Sequence, residues 1–283
     1  MNNEINGIID LHTHSTASDG SMGPAELVRH AIEMGLCAVA LTDHDTIEGI
    51  GNALIEGRKN KFPVIPGVEI SVDYKKEMHM LGYFSEQNYF KIGDILESLK
   101  KARNLRNDKT IEKLNELGFH ITMDDVKKWA EGDIIGRPHI AKAMKEKGYT
   151  SSVEEAFIKY LAFGKPAFFK KEKLTPEEGI KEILKAGGVP VLAHPILLQL
   201  PEPEIDHLLK ELVSYGLRGL EVYYVENIVS FTKSMLRLAK KHGLILTGGS
   251  DFHGAFKPRI KIGIGYGNLR VPNEILKDLQ ALL

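Results

Sequence analysis

The chain repeats one pattern that few folds can use: an apolar run of the kind that forms a buried strand, closed by histidine, aspartate or glutamate. Gly7-Ile-Ile-Asp-Leu leads to His12-Thr-His14 and on to Asp19-Gly20, and Cys37-Ala-Val-Ala-Leu-Thr leads to Asp43-His44-Asp45. Val64-Ile-Pro-Gly-Val ends on Glu69 and Met-His79-Met follows. Far downstream come Val191-Leu-Ala-His194-Pro and Leu246-Thr-Gly-Gly-Ser-Asp251-Phe-His253. A buried strand has no packing reason to end on charge, and burying a charge without a partner is costly. The strands of a (β/α) barrel carry such residues from distant parts of a chain to one mouth. Imidazole and carboxylate without thiolate suit Zn, Mn or Fe(II). The set predicts a multinuclear metal hydrolase.

The spacing of elements agrees. An apolar strand over 7–14 is followed by a helix from Pro24 to Met34, with proline at its first position and Gly35 just past its end. A strand over 37–42, a helix over 47–59 and a strand from Pro63 to Asp73 come next, and Tyr74 to Glu77 reads as the turn of a hairpin whose return arm carries His79. From about 92 to 170 the alternation stops. Helical patterns over 92–117, 123–131, Pro138 to Lys147 and 152–162 form a block without a strand pattern, the second opened by a Thr122/Asp125 capping box. Helices at 176–186, 202–215 and 227–242 then alternate with strands at 189–193, 217–224 and 244–249, and a last helix runs from Pro272. The expectation is a mainly parallel barrel built from 1–91 and 171–283, with a helical insertion, 92–170, over its mouth.

Each candidate ligand has a plainer reading beside the metal one. His12 and His14 point the same way from a strand, but such a pair is more often exposed or hydrogen-bonded than metal-bound. Asp19-Gly20 alone is a common turn, and Glu69 alone reads as a salt-bridged barrel carboxylate. Their joint occurrence at strand ends favours metal. Asp10, two before His12, is expected to orient an imidazole, whereas His30, His120, His207 and His242 lie on or beside charged helices and read as solvated.

The series from His12-Thr-His14 to Asp251-Phe-His253 resembles, end to end, the polymerase-and-histidinol-phosphatase (PHP) family of metal-dependent phosphoesterases. The resemblance implies a distorted seven-stranded (β/α)₇ barrel, a TIM-like fold, holding two or three divalent ions of Mn, Fe or Zn. It implies that His12, His14, Glu69 and Asp251 hold one ion, that Glu69 bridges to a second held by His79 and His194, and that Asp19, His44 and His253 hold the third. Asp251, His194 and His253 are the residues it places nearest the chemistry, which is metal-assisted in-line hydrolysis with proton transfer assisted by one of the two histidines.

The substrate reading rests on the insertion. In Ile135-Gly-Arg137-Pro-His139, Arg137 and His139 open a helix, where free N–H groups and the helix dipole favour anions. Lys165 sits in the aromatic loop Ala162-Phe-Gly-Lys-Pro-Ala-Phe-Phe169. The plainer readings are a surface salt bridge and a small satellite core; beside the metal set, a basic clamp made of Arg137, His139 and Lys165 is the better one. A formal net charge of −1 gives no global attraction to nucleic acid or anionic membrane, so an anionic substrate needs such a local site. Lys100-Lys-Ala-Arg103-Asn-Leu-Arg106 reads as a solvated helix face. The Gly-Arg-Pro-His run resembles the PHP branch acting on nucleoside 3′,5′-bisphosphates and 5′-phosphorylated oligonucleotides. The expected substrate is a bisphosphate; a 5′→3′ exonuclease on short RNA or DNA, a histidinol-phosphatase-like activity and a non-catalytic metal-dependent binding module are the rivals. The first residues lack signal-peptide character, no apolar stretch reaches membrane-spanning length, and the single cysteine, Cys37, permits no internal disulfide. A cytoplasmic location without membrane attachment is therefore expected.

Overall fold

The computed structural model describes residues 7–130, 135–170 and 173–283. The predicted extent of the second insertion helix to Glu131 ends outside these residues. The first half of the chain gives β1 (Ile8–Asp10), α1 (Pro24–Glu33), β2 (Ala38–Leu41), α2 (Ile50–Asn60), β3 (Val64–Val72) and β4 (Met78–Tyr83). The insertion gives α3 (Gly93–Glu116), α4 (Met123–Lys127), α5 (Arg137–Glu146) and α6 (Val153–Ala156), the last continued by a π turn over Phe157–Leu161. Then follow α7 (Pro176–Lys185), β5 (Val189–Leu192), α8 (Glu202–Tyr215), β6 (Gly219–Tyr224), α9 (Val229–His242), β7 (Ile245–Gly249), β8 (Val271–Pro272) and α10 (Ile275–Gln280). None of the described helices is long and apolar enough to cross a membrane.

The strands lie in the order β7-β6-β5-β4-β3-β2-β1-β8. All neighbours are parallel except β4, which is antiparallel to both β3 and β5, and β8, antiparallel to β1. The sheet curls until the chain beyond β1 meets β7: Leu11 N–H donates to Gly248 O (3.0 Å), Asp251 N–H to His12 O (2.9 Å) and His14 N–H to Phe252 O (2.9 Å). The result is a nearly closed barrel. Ala38, Ala40, Ile65, Leu81, Tyr83, Val189 and Val191 form a cluster that Ile275, Leu276 and Leu279 of α10 close at the end opposite the mouth. The outer faces of β3 to β6 pack on α7, α8 and α9 through residues such as Val68, Ile70, Leu192, Leu220, Ile180, Leu209 and Leu238.

Two expectations are corrected here. The last helix begins at Ile275, because Val271 and Pro272 pair with β1 as a two-residue edge strand, a position where proline's missing N–H does no harm. Regular pairing in the first strand stops at Asp10; the chain then turns its hydrogen bonds toward β7. In the insertion, Ile111, Leu114, Ile121, Val126, Ile140, Met144, Ala156 and Leu161 make a separate apolar cluster. α3 serves both parts, since Leu96 and Leu99 pack in the barrel's outer core while Ile111 and Leu114 pack in the insertion.

Candidate metal centre

The nine predicted residues meet at the mouth, and the local chain explains how. His12 and His14 lie just past β1, and a Cβ on Gly249 would come within 2.3 Å of His12 Cβ, so glycine is what lets β7 approach this closely. Asp10 does not orient an imidazole. Its carboxylate accepts from Ser250 N (2.9 Å), Ser250 Oγ (2.5 Å), Gly263 N (2.7 Å) and His12 N (3.2 Å), tying the first strand to the loops after β7. Asp43 plays a matching part, accepting from Ser15 N, Ser15 Oγ and Ser18 Oγ at 2.6–2.8 Å and so shaping the loop that presents Asp19. His44 follows β2, Glu69 lies within β3, and His79 is at the start of β4. Because β4 runs antiparallel, its beginning reaches the same mouth as the ends of its neighbours. Three non-glycine residues at the mouth hold positive φ: Asp45 (52°), His194 (25°) and Asp251 (54°). Such backbone costs on the order of 1–3 kcal/mol per residue and persists where the surroundings fix it.

Glu69 is the hub. Its Oε2 lies 3.3 Å from His12 Nε2, 3.3 Å from His14 Nε2 and 3.0 Å from His44 Nδ1; its Oε1 lies 2.7 Å from His79 Nδ1 and 2.9 Å from His194 Nε2. Asp251 Oδ1 is 3.2 Å from His14 Nε2 and 3.7 Å from His12 Nε2. Asp19 faces His253 Nε2 (3.4 Å), His14 Nδ1 (3.7 Å) and His44 Nε2 (3.9 Å). The nine fall into four overlapping groups whose ligand atoms lie within 4.8 Å of one another. Buried His12 Nε2, both ring nitrogens of His14, His44 Nδ1, His194 Nδ1 and Glu69 Oε2 have no hydrogen-bond partner. An unpaired buried polar atom costs about 1–3 kcal/mol, so a shell of them aimed at common points fits divalent cations and little else.

Burial pushes the Glu69 carboxyl upward, but His44, His79 and His12 outweigh it and hold it well below the usual range. Burial also opposes ionisation of Asp251 and Asp19, and in both the neighbouring His253 leads the charges that win. Three ionised carboxylates among six imidazoles is a donor set for cations.

The mouth opens into a cleft of about 840 Å³ between barrel and insertion. Of the three predicted clamp residues, His139 lines it, while Arg137 and Lys165 are not among its lining residues. His139 Nδ1 accepts from Gly136 N–H (3.1 Å) and burial lowers its pKa to about 4, so the ring is neutral with Nε2 protonated. Arg137 donates to Leu161 O (3.1 Å) and stacks its guanidinium 5.1 Å from the centre of Phe168. The lysines that line the cleft are Lys142, Lys145 and Lys257, the last 2.7 Å from Asp251 Oδ2.

Of the basic stretch on α3, Lys101 is exposed as expected, but the other three cations do not form a solvated face. Arg103 is paired with Asp45, Lys100 reaches Glu48 (3.1 Å), and Arg106 is buried with its Nε on Asn107 Oδ1 (3.0 Å). Burial, with the charges of Arg103 and Arg137, lowers the Arg106 pKa to about 9. Among the histidines read as solvated, His242 is instead largely covered and bound to Asp206 (2.7 Å).

Sequence reasoning missed Glu221. Fully buried in β6, it accepts from His12 Nδ1 (3.0 Å) through one oxygen and from the backbone N–H of His194 (2.6 Å) through the other. Its signal, a lone carboxylate inside Gly-Leu-Glu-Val-Tyr, is the same one that marks Glu69. Tyr224 was missed as well; its hydroxyl donates to Asp251 Oδ2 (2.9 Å).

A barrel with this constellation at its mouth defines a class of protein, and comparison with known proteins places the chain in it. The PHP domain model matches residues 10–194, and the chain belongs to that family. It is 34% identical over 245 residues to a 5′-3′ exoribonuclease of Haemophilus influenzae, covering 86% of this chain and 89% of that one. It is 29% identical over 247 residues to a 3′,5′-nucleoside bisphosphate phosphatase of Chromobacterium violaceum, covering 87% of each. A solved structure from Bifidobacterium adolescentis, described as a metal-dependent phosphoesterase, superposes with a TM-score of 0.85 at 30% identity over 97% of this chain and 96% of that one.

Proposed function

We propose that the substrate of this metal-dependent phosphoesterase is a nucleoside 3′,5′-bisphosphate. The observation that carries the reading is the convergence of nine imidazole and carboxylate side chains, several with orphaned buried atoms, at the floor of a cleft whose walls bear lysines. In this reading His12, His14, Glu69 and Asp251 hold one divalent ion, Glu69, His79 and His194 a second, and Asp19, His44 and His253 a third. Ions of Mn, Fe or Zn bound there would neutralise phosphate oxygens and supply a nucleophile at neutral pH by acidifying water. Asp251, His194 and His253 serve as ion-holding groups, and Lys257, fixed on Asp251, faces the reacting end of the cleft and offsets charge on the leaving oxygen. His139 offers its Nε2 proton to a phosphate oxygen. The phosphate that does not react is assigned to Arg137, which crowds with Arg103 and the buried Arg106 and would have to turn from Leu161 and Phe168 to reach the cleft. Lys165, from the loop after Leu161, would join it as a second cation on that phosphate. A cytoplasmic location suits the unpaired Cys37.

The reading is tested by metal and by substrate. Excess chelator is expected to abolish phosphate release from adenosine 3′,5′-bisphosphate. Mn²⁺, Fe²⁺ or Zn²⁺ is expected to restore it, and Ca²⁺ is not, because imidazole donors disfavour a hard oxygen-seeking ion. Full activity in chelator with no bound metal overturns the assignment. Arg137→Ala is expected to raise KM for the bisphosphate by about tenfold to a hundredfold, the scale of a lost charge-assisted bidentate contact. KM for a monophosphate ester should change little. Equal losses on both would give Arg137 the structural task of tying α5 to Leu161.

A second reading, hydrolysis of short 5′-phosphorylated oligonucleotides from the 5′ end, is favoured by the cleft's reach along the insertion to Lys145 and Glu154. Stepwise release of mononucleotides from a 5′-phosphorylated pentanucleotide, faster than phosphate release from the bisphosphate, would establish it.

A further inference from the structure

The metal groups account for the floor of the cleft but not for its apolar wall. Phe256 is 41% exposed and Ile158 65% exposed, and both line the cleft together with Phe157. Phe256 ends the short turn Gly254–Phe256 that directly follows His253. That turn is fixed from below: Gly254 has φ +62°, a Cβ on it would strike Ser21 Oγ at 2.1 Å, and Ala255 N–H donates to Ser21 Oγ at 2.7 Å. One face of the Phe256 ring is covered by Lys142 Nζ, 3.1 Å from its centre, reaching over from α5. A large exposed ring held rigidly three residues from a metal-centre histidine, with an ammonium on its face, is not explained by packing.

We propose that Phe256 is the platform on which the nucleobase of the substrate stacks, with Lys142 as the cation that covers the ring until the base arrives. This rests on the nucleotide reading above and names the group that recognises the base. A benzene face attracts a cation only weakly at an exposed site, whereas a base stacked on an aromatic side chain gains as much or more. The base therefore displaces Lys142, whose ammonium then lies beside the substrate's phosphates. Phe157 and Ile158 close the pocket from the insertion side. An aromatic platform reads the face of a base and not its edge, so adenine, guanine, cytosine and uracil are all accepted.

The test compares a nucleoside 3′,5′-bisphosphate with 1-deoxyribose 3,5-bisphosphate, which has the same phosphates and no base, on the full-length metal-loaded protein. The wild type is expected to show a KM for the nucleotide roughly tenfold to a hundredfold below that for the base-free sugar. Phe256→Ala is expected to erase that gap by raising the nucleotide KM alone, Phe256→Tyr to keep it, and metal content to remain that of the wild type in both. A Phe256→Ala protein that keeps the gap places the base elsewhere and overturns the platform. Parallel losses on both compounds, or loss of metal, show that Phe256 supports the His253 loop and also overturn it. If the wild type hydrolyses neither compound yet releases phosphate from a simple phosphoester in a metal-dependent way, the nucleotide reading falls and the platform with it.

Discussion

Glu69→Gln is expected to lower kcat/KM by about a thousandfold or more, the scale reached when a group acting directly on transition-state charge is removed. The magnitude follows from how many partners one carboxylate has. Its two oxygens lie within 3.3 Å of five imidazoles, those of His12, His14, His44, His79 and His194. Glutamine has nearly the same shape but no charge, and its NH₂ end would present a donor where a cation is expected. Retention of the fold is expected, because the volume is unchanged and the strand around Glu69 is anchored by β2 and β4 through its backbone. The measurements are metal content, circular dichroism and turnover. A folded Glu69→Gln protein with wild-type metal content and activity within tenfold would remove Glu69 from the bridging position, and the three-ion arrangement would lose its hub.

How much of this was legible in the sequence depends on whether the cause is local. Strand and helix limits came through where an apolar period meets Gly or Pro, as at Pro24 with Gly35. That the nine candidate ligands would converge was legible because charge closing a buried strand has no other cheap explanation. What did not come through depends on tertiary contacts. β8 is two residues long and exists only because β1 is beside it. Arg137 and Lys142 lie on the same helix in similar company, yet one turns to Leu161 and Phe168 and the other to Phe256. Asp10 and Glu221 show the limit most sharply. Both are buried carboxylates in strands, and the one two residues from a histidine pair holds backbone while the distant one holds the imidazole.

Replacing that distant carboxylate supplies the second large effect. Glu221→Gln is expected to weaken metal binding at two places at once, each by about tenfold to a hundredfold, the usual cost of losing the carboxylate behind a ligating histidine. One oxygen of Glu221 lies 3.0 Å from His12 Nδ1 and accepts its proton, so that in the metal-loaded protein Nε2, aimed at Glu69 and Asp251, would be the nitrogen left to bind the ion. The other holds the backbone N–H of His194, a residue whose φ of 25° is unfavourable without such a restraint. An amide can replace only one of these acceptors. If its oxygen stays on His12, the NH₂ faces the His194 N–H and that loop shifts. If it turns, His12 loses the partner that fixes its tautomer and Nε2 takes the proton. His12 and His194 share one group with Glu69, and His12 also belongs to the group of His14 and Asp251. With His12 assigned to one ion and His194 to the second, as proposed above, the loss reaches both. Titrating metal into the stripped protein should show two weakened sites and one unchanged. High metal concentration should recover most of kcat, because no group that touches substrate has been altered. Glu221→Ala is expected to be worse, leaving two buried donors unpaired at a cost of about 1–3 kcal/mol each. Weakening of a single site would confine Glu221 to His12, and unchanged affinity at every site would reduce it to a structural strut between β5 and β6.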